Sequence, residues 1–560
     1  MSGSARQCAD NMDETPVNGD IILKPALTPS LFPNIPPTLY FGTQDEKVEL
    51  LPWAQRKLLK WKMSTVTPNI VKQTVARSHF RVTKKNHDWL GCWGHHMKST
   101  AFKSIREYQK LNHFPGSFQI GRKDRLWRNL SKMQARFGRK EFNFFPQSFV
   151  LPQDIKLLKK AWEEGGTRQK WIVKPPASAR GMGIQVIHKW SQLPKKRPLL
   201  VQRYSSSMKS LSNKFMHLTN YSVNKKNVDY KANTDETACQ GHKWALKALW
   251  TYLNQKGFCS EKIWEKIKEM VIKTIIASDP YVNSLVKMYV QNPRSCHELF
   301  GFDIMLDENL KPWVLEVNIS PSLHSNSPLD VNIKGQMIKD LLNLAGFLLP
   351  NKEDTSNIGS GSSATSVCTS GKDRGRSMEI LNEEKMKRAY YLSQKLPDKD
   401  LYATVLDQLT PEDVRILAET EDELSRCGQF ERVFPSPISS RFLRFFEQQR
   451  YFNILTNQWE QKFYNDRERG RDLLRSLCMM NFHTGSVLLP LSPLKSPGYS
   501  MVHLNGFNRG DISAPSSLLI SPEERPASLK TSSYHHQPEL PERTRLCQSL
   551  SNMPESTLVT

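Results

Sequence analysis

Three side chains past the middle of the chain have the types and spacing to hold a cation. The run from Glu298 to Leu323 reads as two apolar strands around a polar turn at Asp307-Glu308-Asn309. With Leu306 opposite Trp313 across that turn, antiparallel register sets Asp303 against Glu316. Strand alternation then puts Asn318 on the face of Glu316. Like charges facing each other destabilise a ladder. A cation relieves that cost, and all-oxygen ligands suit Mg²⁺ carrying phosphates. The alternative is an ordinary core hairpin whose acids face solvent.

A second cluster could meet the phosphates. Trp171-Ile-Val-Lys174 reads as a short buried strand ending in lysine, followed by Pro-Pro-Ala-Ser-Ala-Arg180-Gly181-Met-Gly183. A loop of glycine and alanine lets backbone N–H groups approach phosphate oxygens, and Lys174 and Arg180 add positive charge. It is neither a Walker A loop nor a dinucleotide fingerprint, and taken alone it fits a structural turn. Val201-Gln202-Arg203-Tyr204 reads as an edge strand whose backbone could pair with an adenine. In His217-Leu-Thr219-Asn220-Tyr221-Ser222, the Asn and Ser also suit a helix or turn cap. His217 fits a buried, hydrogen-bonded histidine better than a base.

These residues sit in a strongly basic chain. Lys and Arg number 79 against 55 Asp and Glu over 560 residues, a formal charge of +24. Between Leu51 and Lys140 there are 21 Lys/Arg and 3 Asp/Glu, so that window carries +18. Such asymmetry favours an acidic partner: nucleic acid, an anionic membrane or an acidic protein tail. The alternative is a solvated basic surface. Nine cysteines without a Cys-x-x-Cys pair suggest neither a zinc ribbon nor a redox motif, and fit a reducing compartment. The N-terminus has no apolar signal-peptide core, and no run approaches the roughly 18 apolar residues of a membrane span. A soluble cytosolic or nuclear protein is expected.

The elements that must position the site alternate between strand and helix, which predicts an α/β or α+β architecture. Strands are expected at Phe144–Leu151, Trp171–Lys174, Gln185–Ile187 and Leu199–Gln202. Helices are expected at Asp154–Glu164, Lys243–Gln255, Glu261–Ala277 and Ile338–Leu349. Trp53, Leu58, Leu59 and Trp61 could form an apolar stripe. Asp354–Gly375 is rich in Ser, Gly and Thr, as linkers are. Helical periodicity returns from Met378 to Leu477, with a helix start at Thr410-Pro-Glu-Asp413. Arg441-Phe-Leu-Arg-Phe-Phe446 and Arg450-Tyr-Phe452 interleave bases with aromatics, which fits packing against the main body. The two ends of the chain read as disordered.

Lys174-Pro-Pro-Ala-Ser-Ala-Arg180-Gly-Met-Gly, Gln202-Arg203-Tyr204, His217-Leu-Thr-Asn220-Tyr-Ser222, Gly301-Phe-Asp303 and Leu315-Glu316-Val-Asn318-Ile-Ser-Pro-Ser322 together resemble the tubulin tyrosine ligase-like family of ATP-grasp ligases, in matching order from Trp89 to Pro350. The resemblance implies an α+β ATP-grasp ligase fold. It implies that glutamate is joined to acceptor side chains after ATP activates a carboxylate, a poor electrophile. ATP and Mg²⁺ are the implied cofactors. Asp303, Glu316 and Asn318 would hold Mg²⁺. Lys174, Arg180, Gly181, Gln202, Arg203, Tyr204, Thr219 and Asn220 would contact ATP, with Lys174 and Arg180 as the catalytic pair. Tyr221, Ser222 and Lys243 would position free L-glutamate. Ile319, apolar where chain-elongating members carry His, resembles branch initiators. The implied partners are tubulin and microtubules through acidic C-terminal tails, and other acidic proteins. No membrane partner is expected, and nucleic acid ranks low because no binding motif accompanies the charge. Cytoplasm and cytoskeleton are the implied location, with cilium and basal body as candidates. The resulting division is 1–40 disordered, 41–145 basic, 146–350 ATP-grasp core, 351–377 linker, 378–477 helical microtubule-binding extension and 478–560 disordered tail.

One departure stands out. After Tyr204 the family continues with strands that include a Lys-Phe-Asp-(Leu/Ile)-Arg motif; here Ser205 follows directly and that motif is absent. Its lysine and aspartate touch ATP and its arginine grips glutamate in the family. Lost central strands leave unpaired backbone, a cost above the roughly 5–15 kcal/mol of typical domain stability. The expectation is a ligase with part of its central sheet missing and weak or no activity. The rivals are an inactive microtubule-binding variant and a ligase of another amino acid.

Overall fold

In the computed structural model the described residues run from 22 to 485, except 86–87, 167–168, 179–180, 195–196, 205–220, 232, 234, 236, 326, 351–370 and 394–398; side chains are not described for 221–222, 371–381 and 399. Disorder is expected to residue 40, yet β1 (Ile22–Lys24), β2 (Leu27–Thr28) and β3 (Thr38–Leu39) form there. β1 pairs in parallel with β4 (Glu46–Val48), and β2 pairs antiparallel with β3. The segment is held by anchors that an average composition hides. Phe32 and Leu39 are buried. Ser30 Oγ and the Leu31 amide both donate to the Asp422 carboxylate.

The basic stretch, expected to be helical or loop-like, contains a parallel sheet. β5 (Lys60–Lys62), β6 (Arg81–Thr83), β7 (Gly91–Cys92) and β8 (Lys110–Leu111) lie in the order β6-β5-β7-β8. Helix α1 (Asn69–Arg77) crosses from β5 to β6 and buries Ile70, Val71 and Val75. The expected Trp53–Trp61 stripe is split. Trp53 is exposed on a single helical turn, whereas Leu59 and Trp61 are buried, Trp61 within β5.

The turn α2 (Phe118–Gly121) and helix α3 (Lys123–Phe137) bury Ile120, Leu126 and Leu130. A four-stranded antiparallel sheet follows, with β9 (Ser148–Leu151), helix α4 (Ile155–Glu164), β10 (Lys170–Lys174), β11 (Gln185–Ile187) and β12 (Leu199–Tyr204). Its order is β11-β10-β12-β9. Trp171, Val173, Leu199 and Val201 pack with Leu158 of α4. The opposite face carries Lys174 and Gln202. The expected edge strand at Val201–Tyr204 is therefore an interior strand. Leu200–Gln202 pair with β10 on one side and β9 on the other, which leaves their backbone unavailable to an adenine.

Helix α5 (Leu246–Gln255) leads to α6 (Ser260–Tyr289), which runs past the expected end at Ala277 and through Pro280. The hairpin β13 (Gly301–Leu306) and β14 (Pro312–Asn318) follows. Helix α7 (Pro328–Ala345) begins well before Ile338, because Ser327 caps it and Pro328 occupies its first turn. Helix α8 (Gly371–Ser393) begins inside the stretch read as a linker. It is followed by α9 (Pro411–Ser425), with the expected Thr410 cap, then α10 (Tyr451–Phe463) and α11 (Arg467–Met479). Phe442, Leu443, Phe445 and Phe446 join the core built by α3, α6 and β14. The described residues form a mixed helix-and-sheet α+β structure. Among them no helix is long and apolar enough to cross a membrane.

Candidate active site

The β13–β14 hairpin turns on Asp307. Its Oδ1 accepts from the Asn309 and Lys311 amides, each at 2.9 Å, and its Oδ2 accepts from Trp313 Nε1. Asp303 stands opposite Glu316, but not through the expected register. Leu306 faces Pro312 and Met305 faces Trp313, and the register shifts between Asp303 and Ile304. Leu315 is the extra residue, a β-bulge. The bulge lets Val314 and Val317, at odd separation, both enter the core. It also leaves Glu316 and Asn318 on the face of Asp303.

The Asn318 side-chain amide donates to Asp303 Oδ1 at 3.2 Å. Burial, then the charge of Glu316, pushes the Asp303 carboxyl up to about 7, while Lys123 and Lys174 pull the other way. Two facing carboxyls and a side-chain amide offer only oxygen donors near one another, so the set fits a hard divalent cation.

Lys174 closes the opposite wall. Its Nζ donates to Gln202 Oε1 at 2.8 Å, and Gln202 Nε2 donates to Ser148 Oγ at 3.0 Å. Burial holds the Lys174 ammonium down at about 8, against the pull of Glu316 and Asp303. Between the walls stands Lys123, the first residue of α3. Its Nζ lies 2.7 Å from Glu316 Oε2 and donates to the Ser178 carbonyl at 3.2 Å, and its amide donates to Pro176 O. Lys123 thus joins the acid hairpin to the loop after Lys174. In the sequence it counted only toward the basic window, and no local signal separated it from its neighbours.

That loop carries Gly181 and Gly183 at φ +71° and +72°. A Cβ on Gly183 would lie 2.9 Å from Pro175 Cγ. Arg203 and Tyr204 end β12 opposite Trp171 and Lys170. Lys243 pairs with Asp330 at 2.8 Å. Ile319 packs on the Gly121 backbone. Arg180, His217, Thr219 and Asn220 lie outside the described residues, and Tyr221 and Ser222 fall in a short helix without described side chains. Lys174, Gln202, Asp303, Glu316 and Asn318 are therefore brought together, with Lys123 added.

Residues 102–206 and 203–356 match the tubulin-tyrosine ligase family. Over 498 positions the chain is 37% identical to tubulin polyglutamylase ttll-4 of Caenorhabditis elegans, taking in 81% of this chain and 80% of that protein. The chain belongs to the tubulin-tyrosine ligase family. It is also 64% identical to tubulin monoglutamylase TTLL4 of Homo sapiens over 562 positions, covering 91% of this chain and 47% of that protein. Against tubulin monoglutamylase TTLL4 of Mus musculus the identity is 66% over 534 positions, covering 86% and 44%. The chain spans about half the length of these two curated relatives. The family match comes in two pieces that overlap at residues 203–206. The alignment with the human protein takes in 91% of 560 residues over 562 positions, so about 50 positions have no residue of this chain opposite them.

Proposed function

We propose that this chain is built as an ATP-dependent ligase that joins L-glutamate to the side-chain carboxylate of glutamates in acidic tubulin tails, starting branches, on an ATP-grasp scaffold. The observation that carries the reading is the Asp303–Glu316 pair with Lys123 and Lys174 gathered against it. The names of the relatives support the tubulin substrate, and the apolar Ile319 supports branch initiation.

Mg²⁺ bound by Asp303, Glu316 and Asn318 would neutralise the phosphoryl group as it moves. Lys174, held by Gln202, presents a cation to the phosphates. The Gly181–Gly183 loop presents backbone N–H groups. Arg180 is assigned to the phosphates and the acceptor, Arg203, Tyr204, Thr219 and Asn220 to ATP, and Tyr221 and Ser222 to free glutamate. Lys243 is assigned to glutamate as well, and would have to release Asp330 to reach it. The basic window would steer acidic tails toward the site, and the later, basic part of the helical extension would dock on microtubules. Cytoplasm and cytoskeleton follow as the working location, cilium and basal body included.

The test is mass spectrometry of tubulin tails after incubation with this chain, ATP, Mg²⁺ and glutamate. Glutamyl additions that vanish in Asp303→Asn support the reading, and their absence from a version with the missing segment restored would sink it.

A second reading, a chain that keeps its basic surfaces but ligates weakly or not at all, has its own support. The hairpin is a two-stranded sheet among the described residues, and no residue of β13 is buried. The family match also divides into two pieces at residues 203–206, around the junction of Tyr204 and Ser205. Microtubule co-sedimentation without ligation by this chain, and ligation once the segment is restored, favours it.

A further inference from the structure

Glu298 lies just ahead of β13, and Ser320 lies just past β14. Two histidines from outside the hairpin connect them. His113 Nδ1 lies 3.0 Å from Glu298 Oε1. The other Glu298 oxygen accepts from the Phe114 amide at 3.0 Å and from Ser117 Oγ. The Glu298 side chain is fully buried. The His96 ring stacks on His113 with centroids 3.6 Å apart and planes 29° from parallel. His96 Nε2 lies 3.3 Å from Ser320 Oγ, and the Ile319 backbone offers the ring a further hydrogen bond. The chain Glu298–His113–His96–Ser320 therefore spans the open end of the hairpin, where Gly301 pairs with Asn318.

We propose that this histidine clip is a positioning device for the ligation site, with His96 as the residue that fixes the Ile319–Ser320 turn and so the aim of the Asn318 amide at Asp303. This rests on the ligase reading given above, because it assigns the clip a role toward the cation that reading requires.

The geometry argues for positioning over a second metal centre. His96, His113 and Glu298 bring their ligand atoms within 4.8 Å of one another. Yet one Glu298 oxygen already accepts two hydrogen bonds, the other lies 3.0 Å from His113 Nδ1, and the second nitrogen of His113 lies 2.9 Å from the Gly94 carbonyl. Stacked imidazoles also aim their in-plane lone pairs alongside each other, not at a shared point. What the arrangement does supply is stiffness. His113 is locked on both sides, and the more accessible His96 transmits that lock to the turn. Groups that orient metal ligands from behind are worth about 10–100-fold in metal affinity.

The test uses the full chain and the variants His96→Ala, His96→Gln and Ser320→Ala. Two quantities are measured: the Mg²⁺ concentration that half-saturates ATP binding, and hydrogen–deuterium exchange of the 316–326 segment without ligand. The expected result is a rise of about tenfold in the Mg²⁺ midpoint for His96→Ala, with faster exchange in that segment and little change in Tm. His96→Gln, which can still bond Ser320, should recover part of both. The double variant His96→Ala/Ser320→Ala should be no worse than the poorer single one. A lowered Tm with an unchanged midpoint and unchanged local exchange would make His96 a packing residue and overturn the proposal. So would Zn²⁺ that stabilises the wild type but not His96→Ala. If the wild type binds no ATP at any Mg²⁺ level, the ligase reading fails with it; the exchange measurement then still decides whether the clip holds the turn.

Discussion

Lys123 Nζ lies 2.7 Å from Glu316 Oε2, so an ammonium sits directly against one of the two hairpin acids. The pair is largely buried, and Lys123 also holds the Ser178 carbonyl. Removing one partner of a buried pair leaves an uncompensated charge, at a cost of about 3–5 kcal/mol. Lys123→Met should lose stability on that scale in urea unfolding. Saturating Mg²⁺ should return part of it, because a cation at the acids replaces the missing ammonium. A variant as stable as the wild type without Mg²⁺ would remove Lys123 from the site.

The Asp303 carboxyl, held up to about 7 by burial and by Glu316, sets a pH dependence. Its ordinary value is 3.8, so the folded state binds this proton more tightly than the unfolded chain does. The stabilisation is complete below the ordinary value and is lost as pH rises toward 7. The difference in unfolding free energy between wild type and Asp303→Asn should therefore slope downward across that window and flatten above it. Saturating Mg²⁺ should flatten the slope by favouring the ionised pair. A difference curve without slope in metal-free buffer contradicts the raised Asp303 carboxyl.

Lys174 predicts a second window. Burial depresses its ammonium to about 8, so its charge is present below that pH and fades above it. ATP affinity should fall as pH rises through 8. In Lys174→Arg the guanidinium stays charged, so whatever affinity survives the longer side chain should lose that dependence. Isothermal titration at several pH values reads both, and an identical profile for the two proteins would take Lys174 off the phosphates.

How much of this was legible depended on distance along the chain. The acid hairpin could be read because its strands, turn and Asx motif lie within a few residues of one another. Its bulge could not, since Leu315 is extruded to satisfy the core demands of Val314 and Val317 on elements far away. The parallel sheet β5–β8 escaped because strands of two or three residues are too short for a period to register. Residues 30–32 looked disordered because their partner, Asp422, is 391 positions from Leu31. Lys123 is the same case within the site. Its type was visible, but its role depends on Glu316 and Ser178, which only the fold brings near.

The contact between Gly121 and Ile319 bears on product length. A Cβ on Gly121 would stand 2.7 Å from Ile319 Cγ2 and 2.9 Å from Cδ1, so Gly121→Ala must displace that side chain. Overpacking of this kind costs about 1–3 kcal/mol. Ile319→Ala should relieve it, so the double variant should be more stable than the sum of the two singles predicts. If Ile319 shapes the acceptor pocket, Gly121→Ala should also alter the ratio of first to later glutamyl additions in the segment-restored protein. Additive stabilities would mean that the two residues do not touch.

The helical extension is tied into the same core as the acid hairpin. Phe442 is 1% exposed and packs with Phe445 into the cluster that includes Met270 of α6 and Val314 of β14. Arg441 pairs with Glu269 of α6, and Arg444 with Glu141 beside α3. A buried Phe cut back to Ala costs about 3–5 kcal/mol. Phe442→Ala should therefore lower the unfolding midpoint of the whole chain in one cooperative step, and it should weaken ATP binding near that midpoint by unfolding the site. A separate low-temperature transition, with ATP binding left intact after the extension has melted, would show that the extension folds apart from the core and that Phe442 does not support the hairpin.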